Sequence, residues 1–384
     1  MSKISRNKLK VGVIFGGRSG EHEVSIVSAE SVFKALNKNK YKVVPIGITK
    51  KGQWIAGVEA VKFLKKGIKK LPFKSVLAPD PTENGLVKVK ERGLIPVSRQ
   101  KSTMTSIDVI FPLVHGTYGE DGKLQGLLEM TNLPYVGANV LGSALGMDKI
   151  IQKKLFRELD LPVVNFVWFL SKEWGVNKKV IINYIEKKLK YPMFSKPANS
   201  GSSVGIGKCH NQKELILGIN DACQYDRKII VEQGIENISE IEVSVLGNDS
   251  PKASVPGEII ASNEFYDYDA KYVDGKSQAI IPAKLPPKVI AEIQKIALAA
   301  FKALDLSGMA RVDFLVTQKS HKIYLNEVNT LPGFTSISMY PKLWQASGLP
   351  YDKLLDKLIE LALERHQEKN SLATAYQPKE DWYK

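Results

Sequence analysis

The chain has 384 residues, 43% hydrophobic and 25% charged, a balance that predicts a folded, water-facing protein with more than one core. No apolar run reaches the roughly 18 to 20 residues of a membrane-crossing helix, and the basic start "MSKISRNKLK" leads into a strand-like segment instead of a leader-peptide core. The net charge of +15 raises nucleic acid as a partner, but the lysines are dispersed ("KALNKNKYK", "KFLKKGIKK") without interleaved aromatics for base stacking, so nucleic acid is not expected and a small polyanion fits the charge.

The first element reads strand, glycine loop, helix: "KVGVIFGGRSG", then "EVSIVSAESVFKAL" with apolar residues at helical spacing. Ligands of α/β folds gather where such strands end. Glu21 stands there, although an acid at a helix start also simply suits the helix dipole. "YKVVPIGIT" and "SIDVIFPLVHG" continue a parallel α/β pattern, with a less regular connection over 50–106. "FPLVHGTYGEDGKLQG" (111–126) sets His115, Glu120 and Asp121 among four glycines, as either a structural turn cluster or part of a site. "DKIIQKKLFRELD" is a helix that ends before Pro162.

"PMFSKPANSGSSVGIGKC" predicts strand, small-residue loop, strand. Such a loop can close over an anion with its backbone N–H groups, with Lys196 and the upstream Lys149 as point charges. The GK[ST] ending of a Walker A loop is absent. Cys209 and Cys223 have no metal-type spacing and make no disulfide framework, which fits a reducing cytoplasm. "KIIVEQG", "EIEVSVLG" and "ASVPGEII" predict strands of one antiparallel sheet. "EFYDYDAKY" (264–272) carries four aromatics in nine residues, which suits a lid more than a bland loop. An amphipathic helix, "PKVIAEIQKIALAAFKALD", precedes a hairpin of "GMARVDFLVT" and "HKIYLNEVN", and a last helix is expected at about 353–367.

That hairpin carries the sharpest chemistry. Alternation puts Arg311, Asp313 and Leu315 on one face of the first strand, and Leu325, Glu327 and Asn329 on one face of the second. Pairing the strands brings Asp313, Glu327 and Asn329 together, a hard-oxygen set of the kind Mg²⁺ takes, usually completed by phosphates and water. Arg311 then shares the pocket as a fixed positive charge, and Pro332-Gly333 turns the backbone to offer an N–H to an anion.

In their order along nearly the whole chain, "GEDGKLQG", "KPANSGSSVG", "DYDAKY" and "NEVNTLPGFT" resemble the D-alanine–D-alanine ligase family of the ATP-grasp superfamily. The resemblance implies an α/β fold, α+β in the C-terminal half: an N-terminal domain over 1–145, a central domain over 146–235, and a C-terminal domain over 236–384 with a lid near 262–276. It implies ADP-forming ligation of two D-alanines through an acylphosphate, for peptidoglycan synthesis. In that pattern Asp313, Glu327 and Asn329 hold two Mg²⁺ ions (Mn²⁺ as a substitute), and Lys149, Lys196 and Lys271 meet the phosphates of ATP. Glu232 and Ile235 take the adenine and Glu240 the ribose. Arg311 and the Gly333 N–H face the tetrahedral oxyanion. Glu21 takes the first ammonium, His115 lies near the first carboxylate, and Ser338 takes the second carboxylate. Glu21, Ser202 and Tyr272 form a triad that links the N-terminal domain, serine loop and lid. Tyr272 favours D-alanine over D-lactate as second substrate. The resemblance also implies a cytoplasmic homodimer with small-molecule substrates and no membrane partner.

Two positions depart from the pattern: Lys123 stands where a small or hydroxyl residue is expected, and "ENISEIEV" is one residue longer than the usual link, with Ser239 before Glu240. The rival readings are a D-lactate or D-serine ligase, another ATP-grasp carboxylate–amine ligase, a nucleic-acid binder, and an inactive relative.

Overall fold

The computed structural model describes residues 8–57, 59–66, 74–82, 85–89, 105–201, 204–260, 278–374 and 376. The N-terminal part runs β1 (Leu9–Gly16), α1 (His22–Ala35), β2 (Tyr41–Ile48), β3 (Trp54–Ala56), α2 (Ala60–Lys66), β4 (Lys74–Leu77), β5 (Gly85–Val89), β6 (Thr105–Ser106), β7 (Val109–Pro112) and α3 (Lys123–Met130). The main sheet is ordered β3-β2-β1-β7, with β1 parallel to both β2 and β7. β1 is buried along its last six residues, as a parallel strand covered on both faces must be, and its C-terminal end opens toward Glu21. Among the described residues of the less regular 50–106 connection, β3 joins the main sheet, α2 follows it, and β4, β5 and β6 form a small separate sheet.

Next come α4 (Val140–Met147), α5 (Lys149–Glu158), β8 (Phe166–Leu170), α6 (Ser171–Lys188), β9 (Met193–Pro197), β10 (Gly207–Cys209), α7 (Gln212–Ala222) and β11 (Lys228–Gln233). β10-β9-β11-β8 form an antiparallel sheet. Lys228–Gln233 therefore pairs with β8 and β9, not with the strand that follows it in sequence. The expectation of one sheet for "KIIVEQG", "EIEVSVLG" and "ASVPGEII" fails at its first member. Short links alone do not say on which side a chain turns.

The third sheet contains β12 (Ile238–Gly247), β13 (Lys252–Ala253), β14 (Gly257–Ile260), β15 (Gln278–Ile280), β16 (Gly308–Thr317) and β17 (Ile323–Asn329), ordered β15-β14-β12-β16-β17 with β13 on β12. Helix α8 (Pro287–Ala303) buries Ile293, Ile296, Ala297, Ala300 and Phe301 with the inner residues of β12 and β16. α9 (Met339–Ala346) and α10 (Tyr351–Asn370) close the chain, and α10 packs with α1, β1 and β7 in one hydrophobic cluster.

The β16–β17 hairpin forms as expected, with Arg311 opposite Asn329 and Asp313 opposite Glu327. One detail differs. Phe314 pairs with Leu325, so Asn326 is an extra, bulged residue. Leu325 is thereby turned into the core beside Phe314, and it does not share the face of Glu327 and Asn329. A bulge inverts the alternation at the point where it falls, which a period-two reading cannot foresee.

Arg365 of α10 clamps the N-terminal part. Its guanidinium donates to the carbonyls of Gly137 and Tyr135 (3.0 Å to the latter) and to Ser307 Oγ (2.6 Å), and lies over the Tyr135 ring. Arg365→Ala leaves three acceptors unpaired, and is expected to lower the stability in urea by about 3 kcal/mol. Arg365→Lys, with charge but no fork, recovers less than half. An unchanged unfolding midpoint in the alanine variant would count against the clamp.

Candidate active site

Helix α5 builds one wall. Asp148 caps it by accepting from the N–H groups of Ile150 and Ile151. Lys149, Gln152, Lys153 and Phe156 then recur at i, i+3, i+4 and i+7, on one face. That face meets β17. Lys149 Nζ lies 3.2 Å from Glu327 Oε2 and donates to the Ser200 carbonyl at 2.8 Å. The Gln152 amide accepts from Val328 N–H at 2.9 Å and donates to the Val328 carbonyl. Lys153 Nζ donates to the Asn326 carbonyl at 2.8 Å.

On the hairpin, Arg311 makes a two-pronged pair with Asp313, 2.7 Å for each bond, and its Nε is 3.2 Å from Glu242. Carboxylates directly opposite each other on paired strands repel, so Asp313 and Glu327 favour a cation between or beside them. With the Asn329 amide next along, the donor set is all oxygen and fits a hard divalent ion. Among the described residues no group of three or more His, Cys, Asp or Glu side chains could hold a metal ion.

Two lobes open from this floor and share Ile206, Glu242, Arg311 and Glu327. One is lined by Lys196, Glu232, Ile235, Glu240 and Asp313. The other is lined by Glu21, His115, Lys149, Asn329, Gly333 and Ser338. The structure thus brings together every expected site residue that it describes. Ser202, Lys271, Tyr272 and the segment 262–276 lie outside the described residues.

In the first lobe, Lys196 Nζ lies 2.6 Å from Glu232 Oε2, and Lys153 Nζ lies 3.0 Å from Glu232 Oε1. Burial alone raises the carboxyl pKa of Glu232, but the two ammoniums outweigh it and hold the group down to about 2. Burial pushes Lys153 down, against the pull of Glu232. For Lys196 burial acts downward too, but Glu232, Glu327 and Glu240 together raise it.

In the second lobe, Glu21 precedes α1 without capping it. Its carboxylate instead rests between two glycines. A Cβ on Gly116 would come within 2.6 Å of Glu21 Oε2, and one on Gly201 within 2.9 Å. Gly116 also has φ +71°, so the position needs glycine twice over. Gly333 is similarly close: a Cβ there would meet Ser338 Oγ at 2.7 Å. Ser338 precedes α9 and accepts from the Thr335 N–H, at the positive end of that helix. His115 is buried, with Nδ1 donating to the Leu331 carbonyl (3.0 Å) near Glu120 (3.6 Å), and Nε2 against Ser28 Oγ. Lys123, the first departure from the pattern, pairs with Asp121 and covers the Tyr118 ring.

Lys153, Gln152 and Glu242 escaped the reading of the sequence. Lys153 and Gln152 were marked by their helical spacing from Lys149, and Glu242 by its two-residue spacing from Glu240.

A cleft with paired carboxylates on its floor and lysines on its walls suits the binding and transfer of a phosphoryl group. The model for the D-ala D-ala ligase N-terminus matches residues 10–138, and that for the D-ala D-ala ligase C-terminus matches residues 155–360. The D-alanine–D-alanine ligase of Natranaerobius thermophilus is 50% identical over 370 residues, 96% of this chain and 99% of that protein. That of Geobacillus thermodenitrificans is 48% identical over 372 residues, 96% of this chain and 100% of that protein. Among solved structures, the VanG D-Ala:D-Ser ligase from Enterococcus faecalis superposes with a TM-score of 0.80 at 36% identity, covering 92% of this chain and 99% of that one. The D-alanine–D-alanine ligase from Coxiella burnetii gives 0.77 at 39% identity, covering 95% and 96%. The chain belongs to the D-alanine–D-alanine ligase family, and its fold is ATP-grasp.

Burial lowers the pKa of His115, yet Glu120, Glu21 and the Leu331 carbonyl reverse this and raise it above the ordinary 6.5. A raised folded-state value gives stability that is fully present below about pH 6.5 and is lost as pH rises through the folded value. The melting-temperature gap between wild type and His115→Asn is therefore expected to be widest near pH 6 and to narrow toward pH 9. A gap independent of pH would contradict the protonated His115.

Proposed function

We propose that the chain joins two D-alanines to D-alanyl-D-alanine with ATP, supplying peptidoglycan synthesis. The observation that carries this reading is the pairing of Asp313 with Glu327, with Asn329 alongside, between Lys149 and Arg311. Asp313, Glu327 and Asn329 would hold Mg²⁺ (two ions in the family pattern, Mn²⁺ as a substitute), which would neutralise phosphate charge. Lys149, Lys196 and Lys271 position the phosphates. Glu232 and the Ile235 backbone take the adenine, and Glu240 takes the ribose.

The first D-alanine is held by its ammonium on Glu21, with His115 near its carboxylate. That carboxylate attacks the γ-phosphorus, ADP leaves, and an acylphosphate results. The second D-alanine is held by its carboxylate at Ser338 and the N-terminus of α9. Its amine attacks the acyl carbon, and the oxyanion that forms accepts from Arg311 and the Gly333 N–H. Collapse expels inorganic phosphate. Glu21, Ser202 and Tyr272 tie the lid shut, so water does not reach the acylphosphate. The 262–276 lid, the domain limits at 145 and 235, the homodimer and the cytoplasmic location rest on the resemblance and on composition. D-Serine as second substrate is the alternative, motivated by the likeness to a D-Ala:D-Ser ligase, and D-lactate is the other that the family resemblance offers.

The test is ADP release with ATP, Mg²⁺ and D-alanine, against L-alanine, D-serine and D-lactate. D-Alanine alone is expected to give ADP with equimolar dipeptide. ADP release that requires added D-serine or D-lactate would change the second substrate, and no ADP from folded protein would overturn the reading. Glu327→Gln is expected to lower turnover by about a hundredfold or more with little change in melting temperature. Near-normal turnover would remove Glu327 from the cation site.

A further inference from the structure

One fully buried ammonium has no part in the mechanism above. The Lys153 side chain is 1% exposed and lies behind Glu232, lining neither lobe of the cleft. A buried charge persists only when paired and hydrogen-bonded. Lys153 meets both demands, through Glu232 Oε1 and through the carbonyl of Asn326, the bulged residue next to Glu327. Its carboxylate partner is shared. Lys196 holds Oε2 of Glu232, but Lys196 lines the cleft and is the residue assigned to a phosphate. When a nucleotide draws Lys196 away, Lys153 is the cation that remains on Glu232.

We propose that Lys153 is a positioning residue for base recognition: it keeps the Glu232 carboxylate ionised and aimed at the exocyclic 6-amino group, and ties that carboxylate to the β17 bulge. This rests on the reading of Glu232 as the adenine acceptor. A fixed carboxylate accepts from a 6-amino group and repels a 6-oxo group, so it rejects the hypoxanthine base as well as binding adenine. Without Lys153 the carboxylate can take up a proton or swing away, and the discrimination falls.

The test is calorimetric binding of ATP and of ITP, in Mg²⁺ buffer, to wild type, Lys153→Met, Lys153→Gln and Glu232→Gln, each checked by thermal melting. Wild type is expected to prefer ATP. Lys153→Met is expected to reduce the ATP/ITP affinity ratio by about tenfold or more, the size of a lost charge-assisted hydrogen bond, with ITP affinity nearly unchanged. Lys153→Gln keeps a donor and falls between, and it carries the test if the methionine variant does not fold. An unchanged ratio in folded variants, or equal weakening of both nucleotides, would overturn the proposal and leave Lys153 a packing residue. Glu232→Gln should lose the ratio as well. If it does not, the assignment of Glu232 falls and this proposal with it, whereas D-alanine-dependent ADP formation by wild type would still uphold the ligase reading.

Discussion

The site depends on how an edge strand is held. β17 is the last strand of its sheet, and an open edge leaves N–H and C=O groups without partners. Helix α5 supplies them from side chains. Gln152 acts as a surrogate strand for Val328, giving and taking one hydrogen bond each, and Lys153 satisfies Asn326. Farther back, the Leu325 N–H donates to the Pro162 carbonyl. With the backbone fixed on both edges, Glu327 and Asn329 have little freedom except toward the cleft. Lys149, on the same helix face, neutralises Glu327 there. Positioning is most of what phosphoryl transfer asks of a protein, and here it comes from one helix face against one strand.

The turn after β17 is held from the other side by α1, the loop after β7 and α10. His115 donates to the Leu331 carbonyl, Ser28 Oγ accepts from the Phe334 N–H, and Tyr351 donates to the Phe334 carbonyl. The Phe334 ring packs edge-on to Phe111, with Tyr340 and Tyr351 around it. Gly333 sits within this anchored loop, beside Ser338 and the start of α9. Under the proposed mechanism the Gly333 N–H, as donor to a transient oxyanion, gains from such rigidity, because nothing need reorganise when charge develops. The N-terminal part thus contributes Glu21 and His115 and also helps to set the backbone of the C-terminal part.

Much of this was legible in the sequence. Alternation along β16 and β17 brings Asp313, Glu327 and Asn329 together, and the hairpin pairs Asp313 with Glu327 and Arg311 with Asn329. The loop glycines near Glu21 also showed as motifs, since Gly116 and Gly201 leave room for its carboxylate. What escaped depends on distance in space. The bulge at Asn326 follows from packing of Leu325 against the α8 core, not from any local signal. The partner strands of β11 are set by which sheet has room for it. Lys153 reads as one more lysine of a lysine-rich helix until Glu232, roughly eighty residues away in sequence, is placed against it.

If α5 shapes the proposed cation site through β17, loosening that contact must weaken the ion without touching any of its proposed ligands. Gln152→Leu keeps the volume and removes both hydrogen bonds to Val328. The measurement is Mn²⁺ affinity in the presence of ADP, from the free-ion signal in electron paramagnetic resonance, for wild type and this variant. Affinity weaker by about tenfold in a variant that still melts cooperatively is the expected result, the size of a lost supporting contact to a metal site. Unchanged affinity would contradict the account, leaving Glu327 and Asn329 positioned by the hairpin alone.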